Sequence, residues 1–216
     1  MDLSVLSISF DDPYGEGLDE DVSLISMFPN LESIELEHVE HPPNRYLACL
    51  RTCSKLKELK IAGRALTNDD IACVGDLRQL RCLSLSETGF FPGANVRPLC
   101  QLDQLDKLIL TDAKLTDGEA TQLCDLPNLR CLYIGFNDKI TSRCIAQLLD
   151  PSVSRFAPRL EQIFFDIGKA DDGVVAALKQ LPRLHYIAVT YGSRVGDVAV
   201  LARLRQALPD RDLCPY

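Results

Sequence analysis

Residues 80–90 read LRCLSLSETGF, with apolar side chains at Leu80, Leu83 and Leu85. Residues 105–115 read LDKLILTDAKL and repeat the same spacing: apolar, two residues, apolar, one residue, apolar. Residues two apart in an extended strand point to the same side, so the last two positions of each copy indicate a short strand with one buried face. The first position, three residues earlier, turns into the same core.

The spacing recurs along the whole chain, and this repetition predicts the architecture. Eight copies are present, and they begin at Leu3, Leu31, Leu56, Leu80, Leu105, Leu129, Leu160 and Leu184. Most intervals are 24 or 25 residues, and two are longer, 28 and 31 residues. Units of this size bury their apolar face by stacking on their neighbours, which gives a continuous core and a parallel sheet. The longest interval contains residues 150–158, where two prolines predict an insertion.

The second half of several copies is typical of a helix. A residue with a short polar side chain precedes a helical run of apolar residues in four copies, at Thr67, Thr116, Thr141 and Asp171. Such residues accept hydrogen bonds from the unpaired N–H groups of a first helical turn. We therefore predict an N-cap at each of the four.

This arrangement resembles the leucine-rich-repeat family, and the resemblance covers essentially the whole chain. It implies an α/β solenoid shaped as a horseshoe, with a parallel concave sheet of about eight strands and convex helices. The helix entries are similar to those of cysteine-containing and bacterial subclasses, including the repeats of F-box substrate receptors. The position that usually holds Asn or Cys departs from the pattern, and its occupants are Val39, Arg64, Thr88, Ala113, Asn137, Gly168 and Gly192. Of these we expect only Asn137 to make the usual link to the backbone, with irregular turns elsewhere.

We expect residues 1–216 to form a single leucine-rich-repeat domain. The first copy begins almost at residue 1, and its apolar Leu3, Leu6 and Ile8 would form an exposed edge strand. Such an edge requires a cap. We therefore expect the chain to be the C-terminal part of a longer one.

Composition and charge narrow the class of partner. No run of about eighteen apolar residues is present, so we expect no membrane span. The formal net charge is −8 and the 23 Lys and Arg are scattered, which disfavours a nucleic-acid partner. The nine cysteines are an odd number without a Cys-x-x-Cys pair, which favours reduced thiols, no metal and a cytoplasmic location.

The strand positions between the buried ones predict the binding surface. They are charged or small in the first half of the chain and become aromatic or apolar in the second half. Exposed aromatic clusters with polar rims are typical of protein-binding sites. The binding residues that we predict are Ile109, Asp112, Tyr133, Phe136, Phe164, Asp166, Ile167, Tyr186 and Tyr191. Among them, Tyr133, Phe164 and Tyr191 are the predicted anchors.

Two alternatives remain open for these surfaces. The aromatic positions either bind a partner or have a structural explanation: the insertion at residues 150–158 or the C-terminal tail, residues 214–216, covers them, or parallel strands simply favour aromatic residues. The acidic stretch at residues 32–40 is either a solvated face or a means of attracting a basic partner.

Signals for catalysis are weak. His38 and His41 lack the spacing of a helical zinc motif. Cys131 and His185 fall two strands apart, near 10 Å, which exceeds hydrogen-bond reach. We expect no cofactor and no enzymatic activity.

The sequence therefore favours a protein–protein interaction module that recognises a protein partner on its concave face. The resemblance to F-box receptors implies a narrower role, the substrate-recognition part of a ubiquitin-ligase receptor. Two alternatives are an enzyme inhibitor similar to ribonuclease inhibitor and a regulator similar to GTPase activators. The first requires an acidic concave face throughout, and the second an exposed catalytic arginine, for which Arg64, Arg81 and Arg130 are the candidates.

Overall fold

The computed structural model describes residues 7–11, 25, 28–37, 44–63, 65–90, 93–190 and 195–216. Its strands are β1 (Ser7–Asp11), β2 (Ser33–Glu37), β3 (Glu58–Ala62), β4 (Ala65–Leu66), β5 (Cys82–Ser86), β6 (Gly89–Phe90), β7 (Lys107–Ile109), β8 (Cys131–Tyr133), β9 (Gln162–Asp166), β10 (Tyr186–Thr190) and β11 (Asp212–Pro215). Its α-helices are α1 (Asn44–Leu50), α2 (Asn68–Gly75), α3 (Asp117–Ala120), α4 (Ser142–Leu148), α5 (Asp172–Lys179) and α6 (Val195–Ala207). Short 3₁₀ helices span Arg97–Gln101, Thr121–Asp125, Ala157–Arg159 and Ile167–Lys169.

The described residues form one open, parallel sheet of nine strands in chain order, and the short strands β4 and β6 pair separately. Equivalent positions of the copies lie opposite one another, so that Leu83 pairs in register with Leu59 on one side and Leu108 on the other. The repeat found in the sequence is therefore also the repeat of the structure, and the predicted α/β solenoid is confirmed. The ninth strand, β11, lies beyond the eight counted copies and continues the register of β10.

The core is a set of stacked leucine columns between the sheet and the convex segments. The first apolar residue of every described copy is fully buried, and these residues are Leu31, Leu56, Leu80, Leu105, Leu129, Leu160 and Leu184. Each copy contributes only a few such side chains, so burial is complete only when the copies stack.

All four predicted N-caps are confirmed. Thr67 accepts a hydrogen bond from the Asp70 N–H, and Asp171 accepts one from the Val174 N–H. Thr141 accepts one from the Cys144 N–H. Thr116 forms a capping box with Glu119 at the start of α3.

Two copies depart from the predicted helices. The segment Arg97–Gln101 is a 3₁₀ helix whose second residue, Pro98, supplies no N–H. In the next copy, α3 makes one turn before the chain tightens into the 3₁₀ helix Thr121–Asp125. These 3₁₀ segments still bury Leu99 and Leu123 completely.

At the repeat position that usually holds Asn or Cys, the structure confirms the prediction for Asn137. It also shows a second residue there that bonds to the backbone. The buried Asn137 amide donates to Leu110 O at 2.8 Å, and its oxygen accepts from the Leu115 N–H at 3.1 Å, so it joins two copies. Thr88, which was not expected to bond to the backbone, donates to Leu85 O at 2.7 Å within its own copy. The predicted positions Val39, Arg64 and Gly192 lie outside the described residues, as do Leu3 and Leu6.

The insertion packs on the convex side and not over the aromatic positions. The Arg155 N–H donates to Cys124 O at 2.9 Å, and Phe156 is fully buried. The first proposed cover for the aromatic surface is therefore wrong. Within the described ranges, no helix combines the length and apolarity needed to cross a bilayer.

Candidate functional site

One row of side chains on the sheet face changes character along the chain. The central strand position carries, in register from β5 to β11, Ser84, Ile109, Tyr133, Phe164, Ala188 and Cys214. The first of these is a small hydroxyl, and those from β7 onward are apolar or aromatic apart from the terminal thiol. This change locates an apolar surface on the C-terminal half of the sheet.

Four rings form what we call the aromatic cluster: Tyr133, Phe136, Phe164 and Tyr216. Phe164 lies at the centre, with ring centroids 6.1 Å from Tyr133, 5.8 Å from Phe136 and 5.8 Å from Tyr216. The contacts with Tyr133 and Tyr216 are edge-to-face, the arrangement that aromatic quadrupoles favour. Phe164 is only 7% exposed, whereas Phe136 is 50% and Tyr216 79% exposed.

Gly135 makes room for the central ring. A Cβ atom added at this position would overlap the ring of Phe164, which lies directly against the glycine. The absence of a side chain at residue 135 therefore allows the Phe164 ring to pack directly against the backbone there.

Phe136 has a left-handed backbone conformation with φ of 60°. The equivalent residue in the three preceding copies is also left-handed: Gly63 at 75°, Glu87 at 55° and Asp112 at 53°. For a bulky side chain this conformation costs on the order of 1–3 kcal/mol. The Phe136 N–H donates to the Asp166 carboxylate at 2.8 Å, which holds the backbone in place.

Two cavities meet at Phe136. The aromatic cavity, of about 280 Å³, is lined by the four rings of the cluster together with Thr111, Tyr186 and Ala188. The acidic trough, of about 580 Å³, is lined by Ser86, Glu87, Thr111, Asp112, Phe136 and Asp138. Thr111 and Phe136 belong to both, so the apolar and the acidic surfaces are continuous.

Two phenols at this site, those of Tyr133 and Tyr186, have a raised pKa. Burial raises the pKa of Tyr133, whose hydroxyl donates to Gln162 at 3.2 Å and whose ring lies 4.9 Å from the Lys107 ammonium. A hydrogen bond with the Cys214 side chain, together with burial, raises the pKa of Tyr186 to about 12. Tyr133 and Tyr186 therefore present uncharged hydroxyls to the aromatic cavity at neutral pH.

The structure places most of the predicted binding residues together. Ile109, Asp112, Tyr133, Phe136 and Tyr186 all lie partly or fully exposed on the sheet face or its edge. Tyr191 lies outside the described residues.

Three of the predicted binding residues differ from the expectation of a free, solvent-facing side chain. Ile167 is 3% exposed, because the chain turns inward at the 3₁₀ helix Ile167–Lys169, so its predicted exposure is wrong. Phe164 is covered by its ring neighbours. Asp166 is engaged within the molecule, accepting from the Phe136 N–H and, at 3.3 Å, from the Thr190 hydroxyl.

Tyr216 belongs to the site but was not among the predicted residues. Residues 214–216 were considered as a cover for the aromatic positions, whereas Asp212–Pro215 forms β11 and the Tyr216 N–H donates to Val189 O at 2.8 Å. The alternation of residues 212–216 is the signal that could have revealed it, because it continues the strand pattern of the earlier copies.

Two of the acidic positions at the other end of the sheet, Glu32 and Glu35, are paired within the molecule. Glu32 binds Lys57 at 2.9 Å and Glu35 binds Lys60 at 3.5 Å, each one copy along. The carboxylates are thus locally neutralised, which weakens the idea that they attract a basic partner. Residues 38–40 lie outside the described part of the chain.

The weak catalytic candidates gain no support. Burial raises the pKa of the Cys131 thiol, which lowers its thiolate fraction, and His185 Nδ1 lies 3.2 Å from the backbone oxygen of Arg183. Arg130 is engaged between Asp106 and Glu161, at 3.8 and 3.4 Å. No group of three potential metal ligands occurs in the described ranges, from which His38, His41 and Arg64 are missing.

No protein-family model matches the sequence, and a search of curated proteins finds no match. Two solved structures that are similar to the chain are an internalin (inlF) from Listeria monocytogenes and a plant peptide hormone receptor (RGFR1) in complex with RGF2. The internalin is 17% identical with a TM-score of 0.55, over 91% of this chain and 51% of its own. The receptor is 17% identical with a TM-score of 0.47, over 75% of this chain and 25% of its own. This chain spans about half the length of the internalin, and together with the stacked register of its strands the likeness shows that it has the leucine-rich-repeat fold.

Proposed function

We propose that the chain is a protein-interaction module that binds a protein partner at the aromatic cluster on the concave sheet face. A single observation carries the proposal: Phe136 is half exposed although its left-handed backbone is unfavourable. A phenylalanine gains little from such a position in the free protein. Burial of its exposed half by a partner would offset that cost.

The composition of the surface supports the same proposal. Tyrosine and phenylalanine dominate the energetics of protein interfaces, especially where they border cavities that a partner can fill. The nine strands give a sheet roughly 40 Å across at a spacing of about 4.8 Å. A surface of this width accommodates an interface of standard size.

The test is a pull-down with a double variant, Phe136→Ala with Tyr216→Ala. These two rings are exposed, so their removal leaves the core in place, unlike removal of Phe164. A matched control, Val153→Ala with Val198→Ala, truncates two other exposed apolar side chains, 45% and 56% exposed.

The proposal requires that proteins captured by the wild type and the control are lost with Phe136→Ala/Tyr216→Ala, while the melting temperature shows that the variant is folded. Capture that is equal for all three proteins would contradict it. Capture by itself is not support, because only the difference between the two variants reports on this surface.

We also propose two narrower properties. The module recognises substrates for a ubiquitin-ligase receptor, as the similarity of its helix entries to F-box receptor repeats implies. Reciprocal co-purification with a cullin scaffold tests this role, and the absence of co-purification argues against it.

The second property is the location: the protein resides in the cytoplasm. All nine cysteines lie in the described residues and form no disulfide, which supports a reducing compartment; fractionation of cells tests the location.

A further inference from the structure

We infer that the partner segment seated at Phe136 carries a Lys or Arg next to an apolar or aromatic side chain. This inference rests on the proposed function and specifies its occupant. Its basis is the junction of the two cavities at Phe136. An apolar pocket lies on one side of this ring, and a group of carboxylates lies on the other.

The aromatic cavity selects an apolar side chain. Its walls are the rings of Tyr133, Phe136, Phe164 and Tyr216, and its floor includes the methyl group of Ala188. The small residue at position 188 leaves open the space that a larger side chain would fill. A leucine-sized or aromatic side chain would contact several rings at once in this cavity.

The acidic trough selects a cation. Glu87, Asp112 and Asp138 line it, and Asp166 reaches the Phe136 N–H from the adjacent strand. Two ammonium groups oppose them: Lys114 binds Asp112, and Lys169 donates to Asp138 O at 3.1 Å. The three carboxylates that line the trough outnumber these two ammonium groups, and none of the described residues that line it is basic, so a basic side chain would complement it.

The shared wall determines the spacing. Because Phe136 and Thr111 line both cavities, the apolar and the basic side chain must come from residues close together in the partner. Extended chain advances about 3.3 Å per residue, so a separation of one or two residues spans the wall. The basic group would then lie beside the exposed face of the Phe136 ring, where a cation is also attracted to the π-system.

The experiment is selection of a phage-displayed random heptapeptide library on residues 1–216, followed by fluorescence anisotropy with the enriched peptides. We expect enriched peptides to carry Lys or Arg within two residues of an aromatic or large aliphatic residue. Their binding should weaken as salt is raised. The variant Glu87→Gln with Asp112→Asn should bind them about three- to tenfold more weakly, since each exposed charge pair contributes little.

The substitutions keep the backbone intact, because asparagine tolerates the left-handed region at position 112 and glutamine is isosteric at position 87. The control Asp103→Asn with Asp210→Asn removes the same charge at two exposed residues outside both cavities, and it should bind as the wild type does.

The two proposals fail in different ways. Peptides that lose binding with Phe136→Ala but lack basic residues, or that bind Glu87→Gln/Asp112→Asn unchanged, overturn the inference and leave the proposed function standing. A library that yields no peptide also overturns the inference, since an isolated segment is then not what the surface binds. The proposed function is judged separately by the pull-down.

Discussion

At the scale of single residues, one backbone position explains both the accuracy and the errors of the sequence analysis. Buried and outward positions within a strand follow from alternation, so Tyr133 was placed correctly. Where the strand ends, alternation no longer applies. Phe136 turns into the left-handed region and stays exposed, whereas Ile167, the residue at the same repeat position, enters a 3₁₀ helix and is buried. Hydrophobic pattern alone does not distinguish these outcomes.

The left-handed backbone of Phe136 gives the first prediction. Phe136→Gly and Phe136→Ala lose the same ring, but glycine adopts this conformation without a Cβ penalty. We expect the glycine variant to be more stable by about 1 kcal/mol, after the larger entropy of its unfolded chain is allowed for. At the helical position Ala146 in α4, replacement by glycine should instead destabilise by about 1 kcal/mol. Urea denaturation measures both, and a more stable alanine at residue 136 would contradict the assigned conformation.

At the scale of helices and strands, the N-caps could be predicted from the sequence because their hydrogen bonds are local. Thr67, Thr116, Thr141 and Asp171 each bond to N–H groups two or three residues away, so neighbouring sequence specifies them. The choice between α and 3₁₀ helix depends on the adjacent copy and was missed. The convex segments pack side by side, and α2 lies against the 3₁₀ helix Arg97–Gln101.

The contact between these two helices gives the second prediction. A Cβ at Gly75 would lie 2.6 Å from the Pro98 carbonyl oxygen, a backbone atom that cannot move alone. We expect Gly75→Ala to destabilise the fold by about 1–2 kcal/mol, because overpacking outweighs the better helix propensity of alanine. At Gly118 in α3 a Cβ meets only the Thr116 hydroxyl, at 3.5 Å. Gly118→Ala should therefore stabilise the fold by roughly 0.5–1 kcal/mol. Thermal unfolding of both variants tests whether Gly75→Ala lowers and Gly118→Ala raises the stability.

The capping box of α3 gives a prediction about pH. Burial raises the pKa of Glu119, but hydrogen bonds from Thr116 and from the Gly93 N–H, at 2.7 Å, outweigh it and hold the pKa below its usual 4.5. A lowered pKa in the folded state means stability that is present above pH 4.5 and lost as the pH falls through the folded value. We expect Glu119→Gln to cost about 1–3 kcal/mol at pH 7 and progressively less below pH 4.5.

Denaturant unfolding at several pH values measures the difference in unfolding free energy between the wild type and Glu119→Gln, which should become smaller as the pH falls. The control Glu58→Gln changes an exposed carboxylate on the sheet face and should stay within about 0.5 kcal/mol of the wild type. A Glu119→Gln deficit that is constant with pH would contradict the role assigned to the charge.

At the scale of the whole molecule, the fold was predictable because the register of a repeat is obtained by counting. The described sheet has nine strands where about eight were expected, because β11 follows the last counted copy and pairs with β10. Arginines join the copies on the outside of the stack: Arg159 donates to Pro127 O at 3.1 Å and Arg211 to Leu181 O at 2.9 Å. Arginines that make such contacts are spread along the chain, which agrees with the lack of a basic stripe in the sequence. That residues 1–216 form a single domain stays a prediction.

The last of these contacts predicts how the end of the stack opens. Arg211 binds the carbonyls of Leu181 and Leu184, so Arg211→Gln leaves two backbone acceptors without their partner. Because stacked repeats contact mainly their neighbours, we expect faster hydrogen exchange in α6 and β11 and little change in β5 and β7. Arg183→Gln, at an exposed arginine immediately before the last counted copy, is the charge control. Uniformly faster exchange across the sheet would indicate global destabilisation instead.

The row of left-handed residues at positions 63, 87, 112 and 136 has an evolutionary consequence. Because the strands are parallel, these four residues stand side by side along one rim, each at the same point of its own repeat. A glycine, two acids and a phenylalanine occupy them, so the scaffold accepts very different chemistry there. Single codon changes along this rim can therefore alter the chemistry of the surface while the hydrophobic interior stays untouched.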